Sequence, residues 1–81
     1  MENERYNHKA LVNKGIIHYI KEDYLKAKEY YLEAIGVQSY CIEAIYNLGM
    51  VNIRMEAMYE AIQAFERLQS VIQIYQKYYI R

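Results

Sequence analysis

Few side chains in this sequence are spaced for catalysis or for binding a metal. His8 and His18 stand ten residues apart, so they cannot share a helix face as the i, i+4 histidines of a zinc site do. The single cysteine, Cys41, has no second cysteine to pair with and no base within reach by its spacing. The sequence has no glycine-rich phosphate loop, nucleophile elbow or paired carboxylates. We therefore expect a non-catalytic protein without a metal or a cofactor.

Binding of another protein is better supported, because apolar side chains recur at corresponding places in two segments. We predict that they line a concave face that accepts an apolar helix or peptide of a partner. Asn13 and Asn47 could grip the backbone of that partner, since a carboxamide both donates and accepts hydrogen bonds. In the alternative, these side chains contact one another or a further repeat, and the asparagines bond to local backbone or water. The predicted face comprises Val12, Asn13, Ile16, Tyr19 and Ile20, followed by Tyr46, Asn47, Met50, Ile53 and Arg54.

Residues 7–40 and 41–74 repeat one another at a spacing of 34, and six of the 34 pairs are identical. A period of this length indicates stacked helix-turn-helix units. We predict an all-α, right-handed array of two repeats, with residues 1–6 as an N-terminal tail. The identical pairs begin at Ala10, Asn13, Gly15, Glu22, Ala27 and Val37.

Each repeat is predicted to form two helices joined by a tight turn. In the first repeat, Asn7 is expected to cap a helix that runs to about Lys21, and residues 21–23 form the turn. The second helix starts near Tyr24 and is expected to end at Gly36 in a left-handed cap. In the second repeat, a helix is expected to start near Cys41.

The last helix carries an apolar stripe that extends past the second repeat. Neither glycine nor proline interrupts residues 50–81. This favours one long helix over residues 57–80; the alternative is a turn near Ser70 and a truncated third repeat within residues 75–81. The stripe consists of Met58, Ala61, Phe65, Leu68, Ile72, Tyr75 and Tyr79.

Small residues at equivalent places predict where the helices come closest. A glycine inside a helix costs about 0.5–1 kcal/mol relative to alanine, so its recurrence suggests a packing need. Gly15 and Gly49 are the predicted points of close approach, and Tyr31 and Phe65 are the rings that fill the space. His18 and Asn52 occupy equivalent places in the two repeats and are expected to pack at the seam between the two helices of each repeat.

Bulk composition excludes several other classes of protein. Ten basic and ten acidic residues cancel and are interspersed, which disfavours nucleic acid or an anionic membrane as the partner. No apolar run approaches the roughly 18 residues that a membrane span needs, so a cytoplasmic location is expected. Repeat arrays usually need about three units to bury a continuous core, and two units with an open apolar edge should self-associate or bind.

The pattern resembles the tetratricopeptide repeat family. Within that family it is similar to the Polaris family, whose members are subunits of the intraflagellar transport B complex. The second resemblance is carried by the segments Arg5-Tyr6-Asn7, Asn13-Lys14-Gly15, Asp23-Tyr24, Glu43-Ala44 and Tyr46-Asn47. It implies a scaffold in cilium assembly, located at the cilium or basal body, without catalytic residues.

Two departures limit that resemblance. His8 stands where a proline is expected, and residues 72–81 lack the turn that leads into another repeat. The chain could accordingly be a fragment of a longer protein or a two-repeat relative. The lysine-and-asparagine clamp with which some tetratricopeptide co-chaperones hold a carboxylate is also missing, since Val12 and Ile16 occupy its places. The alternative function is a general adaptor of this repeat family with unrelated partners.

Overall fold

The fold consists of four α-helices in a computed structural model that describes residues 7–78. They are α1 (Asn7–Ile20), α2 (Tyr24–Val37), α3 (Ile42–Arg54) and α4 (Met58–Tyr78). The pairs α1–α2 and α3–α4 each form a helix-turn-helix unit, and α2 packs on α3 to join the two units. Within the described range there is no strand. The predicted all-α tandem repeat is confirmed.

The two glycines are the points of close approach, as predicted. A Cβ placed on Gly15 would lie 2.5 Å from Cε1 of Tyr31, and one on Gly49 would lie 2.6 Å from Cζ of Phe65. No side chain larger than hydrogen fits at those distances without moving the ring. Each repeat is therefore closed by a ring of its second helix that lies directly on the backbone of its first.

The core is centred on α2, which has a neighbouring helix on two sides. Its small residues Ala27 and Ala34 are fully buried, and Tyr31 is 1% exposed between them. Facing residues of α1 and α3 complete the cluster, among them Val12 and Ala44. Alanines at these positions let the helix axes approach, so the larger side chains of the neighbours fill the space between them.

The turns within the two repeats have the same backbone geometry. Glu22 has φ 64° and Glu56 has φ 61°, the left-handed conformation that favours glycine or asparagine. In the first turn the amide of Glu22 donates to Tyr19 O and that of Asp23 donates to His18 O, at 2.9 and 2.8 Å. The same two bonds recur 34 residues later, so both turns are Schellman caps.

Two predictions about helix ends are wrong. Gly36 is not a left-handed cap, because it lies inside α2, which ends at Val37 and is followed by Gln38 in an extended conformation. The amide of Gln38 donates to Ala34 O and ends the helix without a positive φ. Asn7 is the first residue of α1 rather than the residue that caps it from outside.

The last helix runs without a break from Met58 to Tyr78, as the uninterrupted stripe predicts. The turn considered near Ser70 is not formed. In the second half of this helix the buried residue is Val71, 4% exposed, whereas Ile72 on the predicted stripe is 38% exposed. Tyr79, the last residue of the predicted stripe, lies outside the described residues.

Candidate functional site

The candidate site is a cavity of about 280 Å³ on the side of the molecule where α1, α2 and α3 meet. Five of the ten residues predicted for the concave face line it, and Tyr31 of α2 is added to them. The lining side chains are Ile16, Tyr19, Tyr31, Tyr46, Asn47 and Met50.

Helical spacing places the α1 and α3 residues of the cavity on facing surfaces. Ile16 and Tyr19 are three residues apart on α1, and Asn47 and Met50 are three apart on α3, so each pair shares one helix face. Gly15 precedes the first pair and lets the Tyr31 ring lie against α1. Three tyrosine rings and two aliphatic side chains therefore line the cavity together with Asn47.

Tyr31 differs from the other lining residues because it is almost wholly buried. Burial raises the pKa of its hydroxyl to about 12, and repulsion from Tyr19 adds to the effect. The side chain is consequently neutral at physiological pH. It can offer a hydroxyl donor to a bound segment, but no charge.

One end of the cavity is bordered by a cluster that joins the two repeats. Arg54 Nε donates a hydrogen bond of 3.0 Å to Tyr19 Oη, and its guanidinium lies 6.0 Å from the centre of that ring. This hydrogen bond raises the pKa of Arg54 further above its usual value. Tyr24 packs edge-on to Tyr19 at 5.4 Å. A positive charge therefore stands beside the apolar cavity rather than inside it.

The remaining residues predicted for the face do not line this cavity. The prediction that Val12 belongs to this face is wrong, because its side chain is fully buried in the core among residues of α2 and α3. Asn13 is exposed on α1, so the predicted pair with Asn47 does not converge on one cavity. Ile20 and Ile53, 73% and 40% exposed, lie outside it.

Sequence reasoning missed Tyr31 because it assigned the concave face to the first helix of each repeat alone. The available signal was its polar hydroxyl at a position where the second repeat has Phe65. A ring that must close on Gly15 gains nothing from a hydroxyl, so its presence indicated that the tip of the side chain reaches a cavity or solvent.

His18 and Cys41, first considered for metal or nucleophilic chemistry, have packing roles, and Asn52 is the counterpart of His18. His18 stacks on Tyr30 of α2 with ring centres 5.4 Å apart, and its Nδ1 is 3.6 Å from Asp23 Oδ2. Asn52 is 1% exposed at the corresponding place, so both residues pack at the seam as predicted. Cys41 is a buried free thiol that precedes α3.

Other features of residues 7–78 bear on metals and membranes. Among them no group of three or more His, Cys, Asp or Glu side chains is placed to hold a metal ion. In the same range, none of the helices is long and apolar enough to cross a membrane.

Comparison with known proteins identifies the family of the two repeats. Residues 8–41 and 42–77 each match the family described as tetratricopeptide repeat, so the matches cover most of the chain. The two matches begin 34 residues apart, in agreement with the period of the sequence. No curated protein and no solved structure gave a significant match. The chain belongs to the tetratricopeptide repeat family.

Proposed function

We propose that this protein is a non-catalytic interaction module whose cavity between α1, α2 and α3 holds an apolar side chain of a partner segment. Tetratricopeptide repeats are protein-binding units and have no catalytic machinery of their own. The observation that carries the proposal is the lining of the cavity, where aromatic and aliphatic side chains surround a single carboxamide.

The chemistry of the cavity indicates the kind of partner. Pockets that bind ligands are mostly apolar, with a few polar groups that fix orientation. Here Asn47 can donate and accept a hydrogen bond with the backbone of a bound segment. Tyr46 is 48% exposed at the rim and packs edge-on to Phe65, with ring centres 6.2 Å apart. An amphipathic helix or an extended peptide with one bulky apolar residue fits this arrangement.

Charge places a second condition on the partner. Arg54 is held beside the cavity by its bond to Tyr19, so an acidic group of the partner that lies next to the inserted residue would approach a fixed cation. Paired charges at a rim change association rates more than affinity. We expect a segment in which an apolar residue is followed or preceded by aspartate or glutamate.

The experiment compares a variant with lysines in the cavity against a matched control. In Tyr46→Lys with Met50→Lys, two cations enter the cavity, and binding of selected apolar peptides should fall at least tenfold while helicity is unchanged. The control, Leu25→Lys with Tyr59→Lys, changes two residues that are 61% and 73% exposed and lie outside the cavity. It should bind as the unaltered chain does. Peptides would be selected from a display library and their affinities measured by titration calorimetry.

Two results would contradict the proposal. Equal loss of helicity and binding in the first variant would show that Tyr46 and Met50 are core residues. Equal loss of binding in both variants would place the binding surface elsewhere on the molecule.

The finer hypothesis of a scaffold in intraflagellar transport rests on the sequence resemblance near Tyr6, Asn13 and Tyr46, and a general adaptor is its alternative. It is tested by affinity purification from the native cells with the same two variants, read by mass spectrometry. Recovery of ciliary transport subunits that are lost only in the cavity variant would support the scaffold. Recovery of other proteins with the same dependence on the cavity would support the general adaptor.

A further inference from the structure

The outer faces of α1 and α4 are counterparts of the two surfaces that meet between α2 and α3. A shift of 34 residues converts α2 into α4 and α1 into α3. The face of α2 that packs on α3 thus has an equivalent on α4, and the face of α3 that packs on α2 has an equivalent on α1. Within the described residues no helix covers either of these outer faces.

Burial shows which residues belong to the uncovered surface of α1. Val51 of α3 is fully buried, but its counterpart Ile17 is 52% exposed. Ala44 is likewise fully buried, and its counterpart Ala10 is exposed. The difference arises because α3 has α2 beside it, whereas no helix within residues 7–78 lies on the corresponding face of α1.

The uncovered surface of α4 shows the same difference. Its Phe65 is only partly buried, whereas the counterpart Tyr31 is 1% exposed because α3 lies over it. Ile62 is 54% exposed at the place of Lys28, whose side chain is 22% exposed. An isoleucine has replaced a lysine on the side that faces solvent, which is the reverse of what a surface without a partner needs.

We propose that a second copy of this chain occupies these surfaces, with α1 of one copy packed on α4 of the next in the geometry of α2 on α3. The contact is head-to-tail, so it leaves one free surface at each end and can repeat. Such heterologous contacts form open chains when they do not close into a ring.

A substituted pair of residues favours a second copy over an unrelated helix. Leu32 of α2 and Leu48 of α3 are among the residues that line one cavity bounded by α2, α3 and α4. Their counterparts in the head-to-tail contact are Glu66 of one copy and Lys14 of the next, both exposed in the structure. An apolar pair within the chain is thus replaced by opposite charges between chains. The α1 helix carries two lysines and no acidic residue, which suits a neighbour that presents glutamate.

The absence of a connecting loop makes this contact weaker than its internal counterpart. Residues 38–41 tie α3 to α2 within one chain, whereas two copies must lose translational and rotational freedom to meet. A contact of one helix layer is also small compared with stable interfaces of about 1,200–2,000 Å². We expect reversible association that becomes visible toward millimolar protein.

The test blocks each surface separately and then mixes the two variants. Ile17→Glu removes the α1 surface and Ile62→Glu removes the α4 surface, and each alone should lower the association constant at least tenfold. The mixture should recover a one-to-one dimer and nothing larger, because each variant retains the surface that the other lacks. The control Leu25→Glu changes an apolar residue that is 61% exposed and should associate as the unaltered chain does. Sedimentation equilibrium gives the masses, and circular dichroism checks helicity.

Cross-linking provides a second measurement that does not depend on weakening the contact. In a Cys41→Ala background, chains with Lys14→Cys and chains with Glu66→Cys are mixed and treated with a short bis-maleimide. The mixed dimer should dominate over either homodimer. The control Leu25→Cys, on α2 at a position that is 61% exposed, should link to Glu66→Cys far less.

Three results would overturn the proposal. An unaltered chain that stays monomeric to millimolar concentration would show that the surfaces do not meet. Association of Ile17→Glu at full strength would indicate a symmetric dimer through α4. A mixture of the two blocked variants that remains monomeric, without the mixed cross-link, would exclude the head-to-tail geometry.

Discussion

The two repeats have the same backbone geometry but different neighbouring helices. Their first helices meet a ring at Gly15 and at Gly49 at nearly the same distance, 2.5 and 2.6 Å from the place of a Cβ. Yet Tyr31 is 1% exposed, whereas Phe65 is partly exposed. In the first repeat, α3 lies beside α2 and covers Tyr31. In the described residues no helix lies in the same way beside α4 of the second repeat. Local geometry therefore follows the repeated residues, and burial follows position in the array.

The comparison predicts that equivalent substitutions will cost different amounts. Gly15→Leu should lower the free energy of unfolding by about 3 kcal/mol, the upper part of the range for overpacking, because Tyr31 is enclosed by α1 and α3. Gly49→Leu should cost about 1 kcal/mol, since the partly exposed Phe65 can swing outward. Urea unfolding of both variants measures the difference.

Gly36→Leu is the matched control for these substitutions. Nothing lies within 4 Å of the place where its Cβ would be, and the residue is helical and exposed. It should leave stability unchanged or raise it, because leucine is a better helix former than glycine. Equal losses at Gly15 and Gly49 would contradict the role assigned to the neighbouring repeat.

The stability of the protein at high pH should depend on the ionisation of Tyr31. Its pKa in the folded chain is about 12, above the ordinary value of 10, so the folded state retains a proton that the unfolded state releases. Its contribution is complete below pH 10 and is lost as the pH rises toward 12, a change of roughly 3 kcal/mol for two pKa units at 1.36 kcal/mol each. Thermal unfolding between pH 9 and 12 should therefore show a shallower fall in Tyr31→Phe than in the unaltered chain.

The variant Phe65→Tyr tests the same pH effect at the equivalent position of the second repeat. The added hydroxyl lies on a ring that is partly exposed, so its ionised form loses less hydration than that of Tyr31. We expect it to add little to the pH dependence. A Tyr31→Phe curve that runs parallel to the unaltered one would remove burial as the cause of the shift.

The smallest predicted effect is one that should be the same in both repeats. Glu22→Asn and Glu56→Asn each place a residue that tolerates positive φ in a left-handed turn, so each should raise stability by about 0.5–1 kcal/mol. The two increases in stability should add in the double variant, because the turns belong to different repeats. Valine at either position should destabilise, and a response at one turn only would show that the two backbones are not energetically equivalent.

Much of the architecture could be read from particular residues. The spacing of 34 located both helix pairs, and Gly15 and Gly49 identified the contacts with Tyr31 and Phe65, because only glycine permits a ring so close to a helix backbone. The unbroken residues after Met58 predicted the long α4. Gly36 misled because glycine favours but does not require a left-handed cap, and the left-handed residues were the glutamates of the turns.

The cavity was only partly predictable. Ile16, Tyr19, Tyr46, Asn47 and Met50 could be assigned to it from helical spacing, because i, i+3 neighbours share a face. Helical spacing could neither exclude Val12 from the cavity nor add Tyr31 to it. Whether these two side chains reach the cavity depends on how α1, α2 and α3 pack together. The bond of Arg54 to Tyr19 spans 35 residues and has no local signature.

The sequence by itself determined the helices, the turns between residues 20 and 24 and between residues 54 and 58, and the two glycine–ring contacts. These depend on side chains a few residues apart or at one fixed period, and the repeated pattern specifies both copies alike. Only the tertiary structure decided which repeated residues are buried and which are open. Burial depends on the helix that packs beside each face. Within residues 7–78, α1 and α4 each have an outer face with no such helix, although their sequences follow the same pattern as α3 and α2.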